Sequence, residues 1–139
     1  MSRERYLLDK SALARWPKPA VAPVLDELSD RGVLAVCGAV EIEVMHSART
    51  ATEAQRVRWL LRGFDWMSMP DEIWDRAITV QMEAVRRGHH RALSMADLLI
   101  AATAERHGAT VLHYDGDFDM IAAITDQPTI WVVPAGTAD

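Results

Sequence analysis

The sequence predicts an α/β fold in which a parallel sheet of about five strands lies between two layers of helices. The first observation is that Gly32, Gly63 and Gly108 each separate a helix-like segment from a short apolar run. The second is the alternation itself, because strands that alternate with helical segments are typical of a parallel sheet. The chain has 139 residues and no long linker, so residues 1–139 are predicted to form a single domain.

Five short apolar runs are the strand candidates, and longer segments between them are the helix candidates. The strands are YLLD at 6–9, VLAV at 33–36, the run after Gly63, VLHY at 111–114 and TIWVV at 129–133. WPKPAVAP, at 16–23, is predicted to be a proline-rich loop between two early helices. The predicted helices are Ala22–Arg31, Ala39–Ala48, Thr52–Arg62, Pro70–Arg87, Ser94–His107 and Asp117–Thr125.

Composition and charge narrow the possible functional classes. Half of the residues are hydrophobic and a quarter are charged, as in an ordinary globular protein. Apolar stretches are too short to span a membrane, and the first ten residues lack the apolar core of a secretory signal, so a cytoplasmic protein is predicted. The net charge of −5 disfavours a protein that coats nucleic acid, but not one that meets nucleic acid at an acidic metal site. The single cysteine, Cys37, is predicted to be a buried structural thiol.

Two acidic residues directly follow predicted strands. Asp9 comes after Leu7 and Leu8, and Asp115 comes after the strand at 111–113. Ligands of an open parallel sheet bind beyond the carboxyl ends of the strands, where the strand order reverses. If these two strands are neighbours at that point, the carboxylates of Asp9 and Asp115 converge.

A third acid lies in a segment that is otherwise almost entirely apolar. In SMADLLIAATA, at 94–104, Asp97 is the lone charged residue, and the first turns of this helix are expected to be little solvated. A buried carboxylate must be paired, protonated or bound to a metal, because an isolated buried charge is costly. Ser94 and Asp97 also have the spacing of a capping box, so a purely structural role is an equal alternative.

The fourth candidate acid is either Glu41 or Glu43, in the predicted helix after Cys37. Residues two apart on a helix point to nearly opposite sides, so one of them can face the site while the other faces solvent. Periodicity does not choose between them. A solvated helix face is the commoner position for any glutamate.

Two further aspartates follow Asp115 at alternate positions. Asp117 is predicted to lie at the rim of the site, and its structural alternative is the N-cap of the following helix. Asp119 falls in the first turn of that helix, where a negative charge is favourable without any function. Asp119 is therefore left outside the site.

Four segments occur in order along residues 6–118: YLLDKSAL, EVMHSAR, ADLLIAATA and HYDGDF. They resemble the motifs of PIN-domain ribonucleases of the VapC toxin type, which are a hydrophobic-Asp-x-Ser opening, a Glu-Leu-Leu-x-Gly-Ala helix, an Asp-x-x-Ile-Ala-Ala-x-Ala helix and a Thr-x-Asp-x-Asp-Phe turn. Two positions depart from the pattern. Ser47 replaces the usual glycine, and His113 replaces the usual threonine or serine, so that a missing hydroxyl is expected to alter how Asp115 is oriented.

The resemblance implies a three-layer PIN-like sandwich and a metal-dependent endoribonuclease. It also implies that Glu43, rather than Glu41, belongs to the site. Matched residue by residue, the catalytic acids are Asp9, Glu43, Asp97 and Asp115, the metal ligands are Asp9, Asp97, Asp115 and Asp117, and the hydroxyl that supports the first aspartate is Ser11.

The chemistry of such a group of acids calls for a cation. Several carboxylates close together repel one another unless a divalent ion neutralises them. Oxygen ligands without a set of histidines or cysteines favour Mg²⁺ or Mn²⁺ over zinc. The expected reaction is hydrolysis of an RNA phosphodiester bond, which leaves a 5′-phosphate and a 3′-hydroxyl. The sequence does not identify the RNA, the cleavage site or the number of ions, although the resemblance implies a structured RNA such as tRNA or rRNA.

The densest basic stretch, at 86–91, lies just upstream of Asp97. Arg91, which is closest in sequence to the acidic helix, and Lys10, next to Asp9, are the candidates for contact with substrate phosphates. For any single residue of this stretch, a solvated helix end is the commoner alternative. The roles of the individual residues therefore stay open.

Apolar residues predicted to lie at the surface are the remaining feature that indicates a protein partner. The five tryptophans are predicted to be mostly core or interface residues rather than stacking platforms for bases. WLL at 59–61 and the early helices offer an apolar surface to a partner. The resemblance implies that this partner is a VapB-type antitoxin whose C-terminal tail lies across the site, and that toxin chains form homodimers.

Two other functions are considered for the same residues. One is a non-catalytic PIN-like module that binds RNA or protein, and the presence of all four acids argues against it. The other is a phosphotransfer domain with Asp9 as nucleophile. That chemistry calls for a second aspartate two residues later or a lysine after a late strand, and neither DKS at 9–11 nor TIWVVPAG at 129–136 supplies one.

Overall fold

A computed structural model describes residues 4–139 of the chain. The signal-segment prediction concerned the first ten residues, of which 1–3 lie outside the described part. Over residues 4–139 the strands form one parallel sheet in the order β3-β2-β1-β4-β5, which confirms the predicted sheet. The strands are β1 (Tyr6–Leu8), β2 (Leu34–Val36), β3 (Asp65–Trp66), β4 (Thr110–His113) and β5 (Thr129–Trp131).

The helices agree with the predicted ones to within two residues at each end. The one-turn helix after β1 was expected only as the first of the two early helices, without bounds, and the 3₁₀ turn before the acidic helix was not predicted. A single turn is too short to show periodicity. The helices are α1 (Lys10–Leu13), α2 (Ala22–Asp30), α3 (Gly38–His46), α4 (Ala51–Leu61), α5 (Glu72–Arg86), α6 (Met95–His107) and α7 (Asp117–Thr125), with the 3₁₀ turn at His90–Ala92.

Glycines end two of the helices in the predicted way. Gly32 and Gly108 follow α2 and α6 with φ of 69° and 66°, a left-handed conformation that a side chain would disfavour. Gly63 also lies between a helix and a strand as predicted, since α4 ends at Leu61 and β3 begins at Asp65, but its φ is not positive. Its amide hydrogen-bonds the carbonyl of Leu60 over 3.1 Å, so α4 ends in a tight right-handed turn that does not require glycine.

The sheet lies between two groups of helices. α5, α6 and α7 pack on one another, while α3 packs on α4 and α1. The two groups follow from the strand order, since right-handed crossovers that run in opposite directions along a sheet lie on opposite faces. The three-layer α/β arrangement predicted from the alternation is confirmed.

The pairing of β1 with β4 is the feature that positions the site. β1 lies between β2 and β4, so the strand order reverses there, with Leu8 opposite Leu112 in the register. The N–H of Asp9 donates to the carbonyl of Leu112 over 3.0 Å and extends this pairing past the end of β1. β1 and β4 are therefore neighbours at the reversal, which is the condition on which the predicted convergence of Asp9 and Asp115 depended.

The core is densest around the two central strands and α6. Leu8 and Ile100 are fully buried, and each side chain of this size contributes roughly 1.5–3 kcal/mol by its burial. Asp97 to Ala104 is a continuous buried run in α6, as expected for a helix packed on the sheet and on other helices. The first turns of α6 were expected to be little solvated, but Met95 at its start is 68% exposed.

Cys37 is buried and free, as predicted.

The tryptophans lie outside the buried core. Trp59, Trp66 and Trp74 are exposed, while Trp16 and Trp131 are half-buried. Trp16 and Trp131 pack against the core, so the core part of the prediction holds for these two alone. An interface role for the three exposed tryptophans stays a prediction. A helix both long enough and apolar enough to cross a membrane does not occur among residues 4–139.

Candidate active site

Asp9 joins the end of β1 to the start of α1. Its Oδ2 accepts hydrogen bonds from the backbone N–H and the hydroxyl of Ser11, at 2.9 and 2.6 Å. The residue is buried, and Oδ1 has no hydrogen-bond partner in the described part of the chain. Burial raises the pKa of Asp9, although the bonds from Ser11 act in the opposite direction. A buried oxygen without a partner destabilises the charged carboxylate, so Oδ1 is available to a ligand.

Ser11 connects the two central strands. Its hydroxyl donates to Asp9 Oδ2 and accepts from the backbone N–H of Tyr114 over 2.8 Å. Tyr114 immediately precedes Asp115. One hydroxyl therefore fixes the end of β1 relative to the end of β4.

Asp97 has the capping geometry that its spacing predicted. The Ser94 hydroxyl accepts from the N–H of Asp97 at 3.0 Å, and Asp97 Oδ2 accepts a longer bond of 3.5 Å from the N–H of Ser94. Burial, and then the charges of Asp9 and Asp115, raise the pKa of Asp97 to about 7. The same carboxylate therefore caps α6 and lies among other acids, and the two roles do not exclude each other.

The acids form two overlapping groups that share Asp97. One carboxylate oxygen from each of Asp9, Glu43 and Asp97 lies within 4.8 Å of the others, and the same holds for Asp97, Asp115 and Asp117. We call these five residues the acid cluster. Burial and the charge of Asp115 raise the pKa of Asp117. The raised pKa values of three members reflect negative charge that is crowded and poorly solvated.

The structure separates the two glutamates of α3. Glu43 turns toward Asp9 and Asp97 in the first group of acids. Glu41 points elsewhere and pairs with Arg58 of α4 at 3.3 Å. This ion pair depends on how α4 packs against α3, which explains why periodicity within α3 alone did not choose between the glutamates.

Asp115 organises the turn between β4 and α7. Its Oδ1 accepts from the N–H of Asp117 at 2.9 Å, and its carbonyl accepts from the N–H of Phe118 at 3.2 Å. The proposed N-cap role of Asp117 is therefore wrong, because Asp117 is already inside α7 and Asp115 satisfies its amide. Asp119 accepts from the indole N–H of Trp131 and lies outside both groups of acids.

His113 supports this turn from the strand side. The ring is fully buried and lies against Phe118 and Trp131, with centroid distances of 5.0 and 5.2 Å. Its Nδ1 accepts from the N–H of Asp115 at 3.1 Å. Burial lowers the pKa of His113 to about 4, so the ring is neutral at pH 7. The missing hydroxyl thus does not leave Asp115 without a neighbouring acceptor.

The two residues predicted to contact the substrate differ in their surroundings. Lys10 donates to the hydroxyl of Ser47 over 2.7 Å and so connects α1 to the end of α3. Arg91 lies exposed in the 3₁₀ turn and has no ion pair within residues 4–139. Arg86 and Arg87 of the same basic stretch both pair with Glu83.

Tyr114 is a supporting residue that the sequence did not indicate. The Arg15 guanidinium lies 4.4 Å from the centre of its ring. Its hydroxyl accepts from the N–H groups of Gly136 and Ala138, at 2.8 and 2.9 Å. The segment at 136–138 is thereby held against the residue before Asp115. No local pattern signals these contacts, because they join positions more than twenty residues apart.

An open groove of about 570 Å³ adjoins the acid cluster. Glu43 and His46 line one part of it, and Trp74, Met95 and Leu99 are among its apolar lining residues. The groove thus gives access to a carboxylate of the cluster along a mainly apolar surface.

The donor atoms of the acid cluster suit a hard divalent cation. All of them are carboxylate oxygens, and they come close enough together for three residues to share one ion. Mg²⁺ and Mn²⁺ prefer such oxygen ligands, and the unpartnered Oδ1 of Asp9 gives an ion a ligand that is not already engaged. A cation would also offset the burial and, after it, the repulsion from neighbouring carboxylates that raise the pKa values of Asp9, Asp97 and Asp117.

Known solved structures share this fold. A DNA-bound VapBC from Salmonella typhimurium matches with a TM-score of 0.74 at 13% identity, over 94% of this chain and 100% of that one. VapBC2 from Rickettsia felis, bound to a DNA fragment from its promoter, matches with a TM-score of 0.72 at 16% identity, over 91% and 98% of the two chains. At these identities the likeness establishes the fold alone.

Sequence relatives extend the likeness over nearly the whole chain. Residues 6–124 match the model of the PIN domain. Ribonuclease VapC21 of Mycobacterium tuberculosis is 46% identical over 135 residues, which are 96% of this chain and 98% of the relative. Ribonuclease VapC51 of the same organism is 44% identical over 135 residues, with 97% and 98% covered. The chain therefore belongs to the PIN-domain family and, within it, to the VapC ribonucleases.

Proposed function

We propose that this VapC ribonuclease is an endoribonuclease that hydrolyses RNA phosphodiester bonds with Mg²⁺ or Mn²⁺ held by the acid cluster. The observation that carries the proposal is the meeting of five carboxylates at the β1–β4 reversal, with a buried oxygen of Asp9 left without a partner. Asp9, Asp97, Asp115 and Asp117 are the proposed metal ligands, and Glu43 completes the catalytic acids.

The role of each residue of the acid cluster follows from its position. The acid cluster would hold a cation that could neutralise charge on the scissile phosphate and activate water for attack. Asp97 can be a ligand in either group of acids, because it belongs to both. Asp9 offers Oδ1 while Ser11 holds Oδ2, so the direction of the free oxygen is fixed. Glu43 reaches the same group from α3, at the edge of the open groove.

The direct test is cleavage of purified tRNA and rRNA by the purified protein, with Mg²⁺ or Mn²⁺ and with EDTA. We expect discrete cuts with 5′-phosphate and 3′-hydroxyl ends that disappear in EDTA. Cleavage that EDTA leaves intact would contradict the proposal. Binding of Mn²⁺ and RNA without any cleavage would instead favour a non-catalytic binding module.

Arg91 is proposed to contact a substrate phosphate, because it is exposed and has no ion pair in the described chain. Arg91→Ala is expected to raise KM roughly 3- to 10-fold, with little change in kcat, and to weaken the salt dependence of RNA binding. Steady-state cleavage at several salt concentrations measures both effects. Arg86→Ala is the matched control, since Arg86 is already paired with Glu83. Equal effects of the two changes would contradict a specific role for Arg91.

Lys10 is the second proposed phosphate contact. The hydrogen bond to Ser47 holds its ammonium group in place. Lys10 directly follows Asp9 in the sequence. Lys10→Met keeps most of the side chain's length and removes the charge. A KM unchanged by this substitution would contradict the proposal.

A VapB-type antitoxin is the proposed protein partner. Without the antitoxin bound, the chain would act as a toxin that inhibits translation and growth in the cytoplasm. An apolar groove of about 310 Å³ lies between α1, α3 and α4, with Trp16, Leu60 and Phe64 among its lining residues. Trp59 beside it is 73% exposed. Such a patch is typical of a protein interface. Copurification of the two proteins after coexpression tests the proposal, and separate elution would contradict it.

A homodimer is proposed to form through α5. This helix has a buried apolar stripe toward the core and a second apolar stripe that is exposed. Two apolar stripes on one helix indicate a partner for the outer one. Light scattering should give twice the chain mass, and a monomer at micromolar concentration would contradict the dimer. The outer stripe consists of Trp74, Ile78, Met82 and Val85.

A further inference from the structure

His113 has contacts that the proposed catalytic acids do not explain. It ends β4, two residues before Asp115, and is 0% exposed. The rings of Phe118 and Trp131 both lie against it, with centroids 5.0 and 5.2 Å away. A close-packed ring cannot rotate without displacing its neighbours. Packing therefore fixes the plane of the ring, and the hydrogen bond from Asp115 assigns the edge that carries Nδ1.

The Nδ1 atom faces the backbone of Asp115. The N–H of Asp115 donates to Nδ1 over 3.1 Å, so Nδ1 carries a lone pair and the ring proton lies on Nε2. An acceptor two residues before its donor closes the same kind of turn as a serine or threonine hydroxyl. The imidazole thus does here what the hydroxyl of the usual motif residue can do.

The other imidazole nitrogen, Nε2, shows that packing alone does not explain why a histidine occupies this position. Nε2 is buried and has no hydrogen-bond partner among residues 4–139. A buried donor without a partner destabilises a fold. An apolar side chain of similar size would fill the space without this disadvantage. The polar ring is therefore best explained by the use of Nδ1.

The hydrogen bond from Asp115 to His113 completes the support of the turn. Asp115 Oδ1 is held by the N–H of Asp117, so the direction of its other carboxylate oxygen depends on the position of the backbone. We propose that His113 is a positioning residue, whose Nδ1 holds the Asp115 backbone so that this carboxylate meets Asp97 and Asp117 in a cation-binding arrangement. The inference rests on the proposed metal-dependent function.

Two substitutions separate the acceptor from the packing. His113→Leu keeps an apolar side chain of similar size and removes the acceptor, whereas His113→Asn keeps an acceptor near the position of Nδ1 and removes the ring. We expect His113→Leu to weaken Mn²⁺ binding about tenfold with little loss of thermal stability. His113→Asn should bind Mn²⁺ within about twofold of the unsubstituted protein but unfold at a lower temperature. Calorimetric titration and thermal unfolding measure the two properties.

The opposite pattern would overturn the inference. It fails if His113→Leu binds Mn²⁺ as tightly as the unsubstituted protein, or if His113→Asn loses as much affinity as His113→Leu. The ¹⁵N spectrum of the imidazole in the metal-free protein gives a separate reading, since Nδ1 must appear as an unprotonated acceptor coupled to the Asp115 amide. An unsubstituted protein that binds no Mn²⁺ would contradict the proposed function, while this spectrum would still decide the hydrogen bond.

Discussion

Asp97→Asn is expected to reduce RNA cleavage by at least about 100-fold, because it removes the carboxylate shared by both groups of the acid cluster. The same change should raise the unfolding temperature of the metal-free protein. At pH 7 and above it replaces a buried carboxylate, repelled by Asp9 and Asp115, with a neutral group of equal size. The cap of α6 survives, since the amide oxygen of asparagine can still accept from Ser94. Cleavage assays and thermal unfolding in EDTA measure the two effects.

Asp119→Asn is the matched control for this experiment. It makes the same chemical change in the first turn of a neighbouring helix, at a carboxylate that accepts from Trp131 and lies outside the cluster. We expect cleavage within about twofold of the unsubstituted protein. If Asp97→Asn cut RNA at the normal rate, Asp97 would be only a helix cap. If it lost activity together with stability, a structural role would explain the loss.

The positions of the strand-end acids follow from rules that act over short distances. Alternating strands and helices require parallel strands, and parallel strands of a sheet end at the same edge. Asp9 and Asp115 therefore needed only the adjacency of β1 and β4 to converge. Asp97 was found in the same way, because one charge in an apolar helix is conspicuous wherever the helix packs.

Other parts of the site depend on tertiary contacts that no local pattern encodes. The glutamates of α3 are separated by Arg58, which reaches Glu41 from a different helix. The contribution of His113 depends on the direction of its ring, which Phe118 and Trp131 fix. Such contacts are set by packing, so the sequence alone could name candidates here but could not assign their roles.

The contribution of Asp97 to the stability of the metal-free protein is expected to fall as pH rises from about 4 to above 7. His113 acts in the opposite direction up to about pH 6.5, because burial lowers its pKa from 6.5 to about 4. The pKa of Asp97 is about 7 in the fold, against an ordinary value of 3.8, so the fold favours the protonated form. The stability gained by that protonation is complete below the ordinary value and is lost as pH rises through about 7. Thermal unfolding in EDTA between pH 5 and pH 8 measures this trend. Asp97→Asn lacks this contribution, so the unfolding temperature of the unsubstituted protein should fall relative to that of Asp97→Asn as pH rises. A difference between the two proteins that stays constant with pH would contradict the prediction.

Added Mn²⁺ should reverse the trend, because the ion binds the deprotonated cluster. At a concentration of about 100 times its Kd, the ion should stabilise the fold by about 2.7 kcal/mol, or about 5–10 °C, at pH 8. At pH 5 a proton occupies Asp97 and the gain should shrink. Since Asp97 belongs to both groups, an ion in either group must compete with that proton. Binding near pH 6.5 should therefore release about one proton per ion, measurable by calorimetry in buffers of different ionisation enthalpy. Binding without proton release would mean that the ion lies away from Asp97.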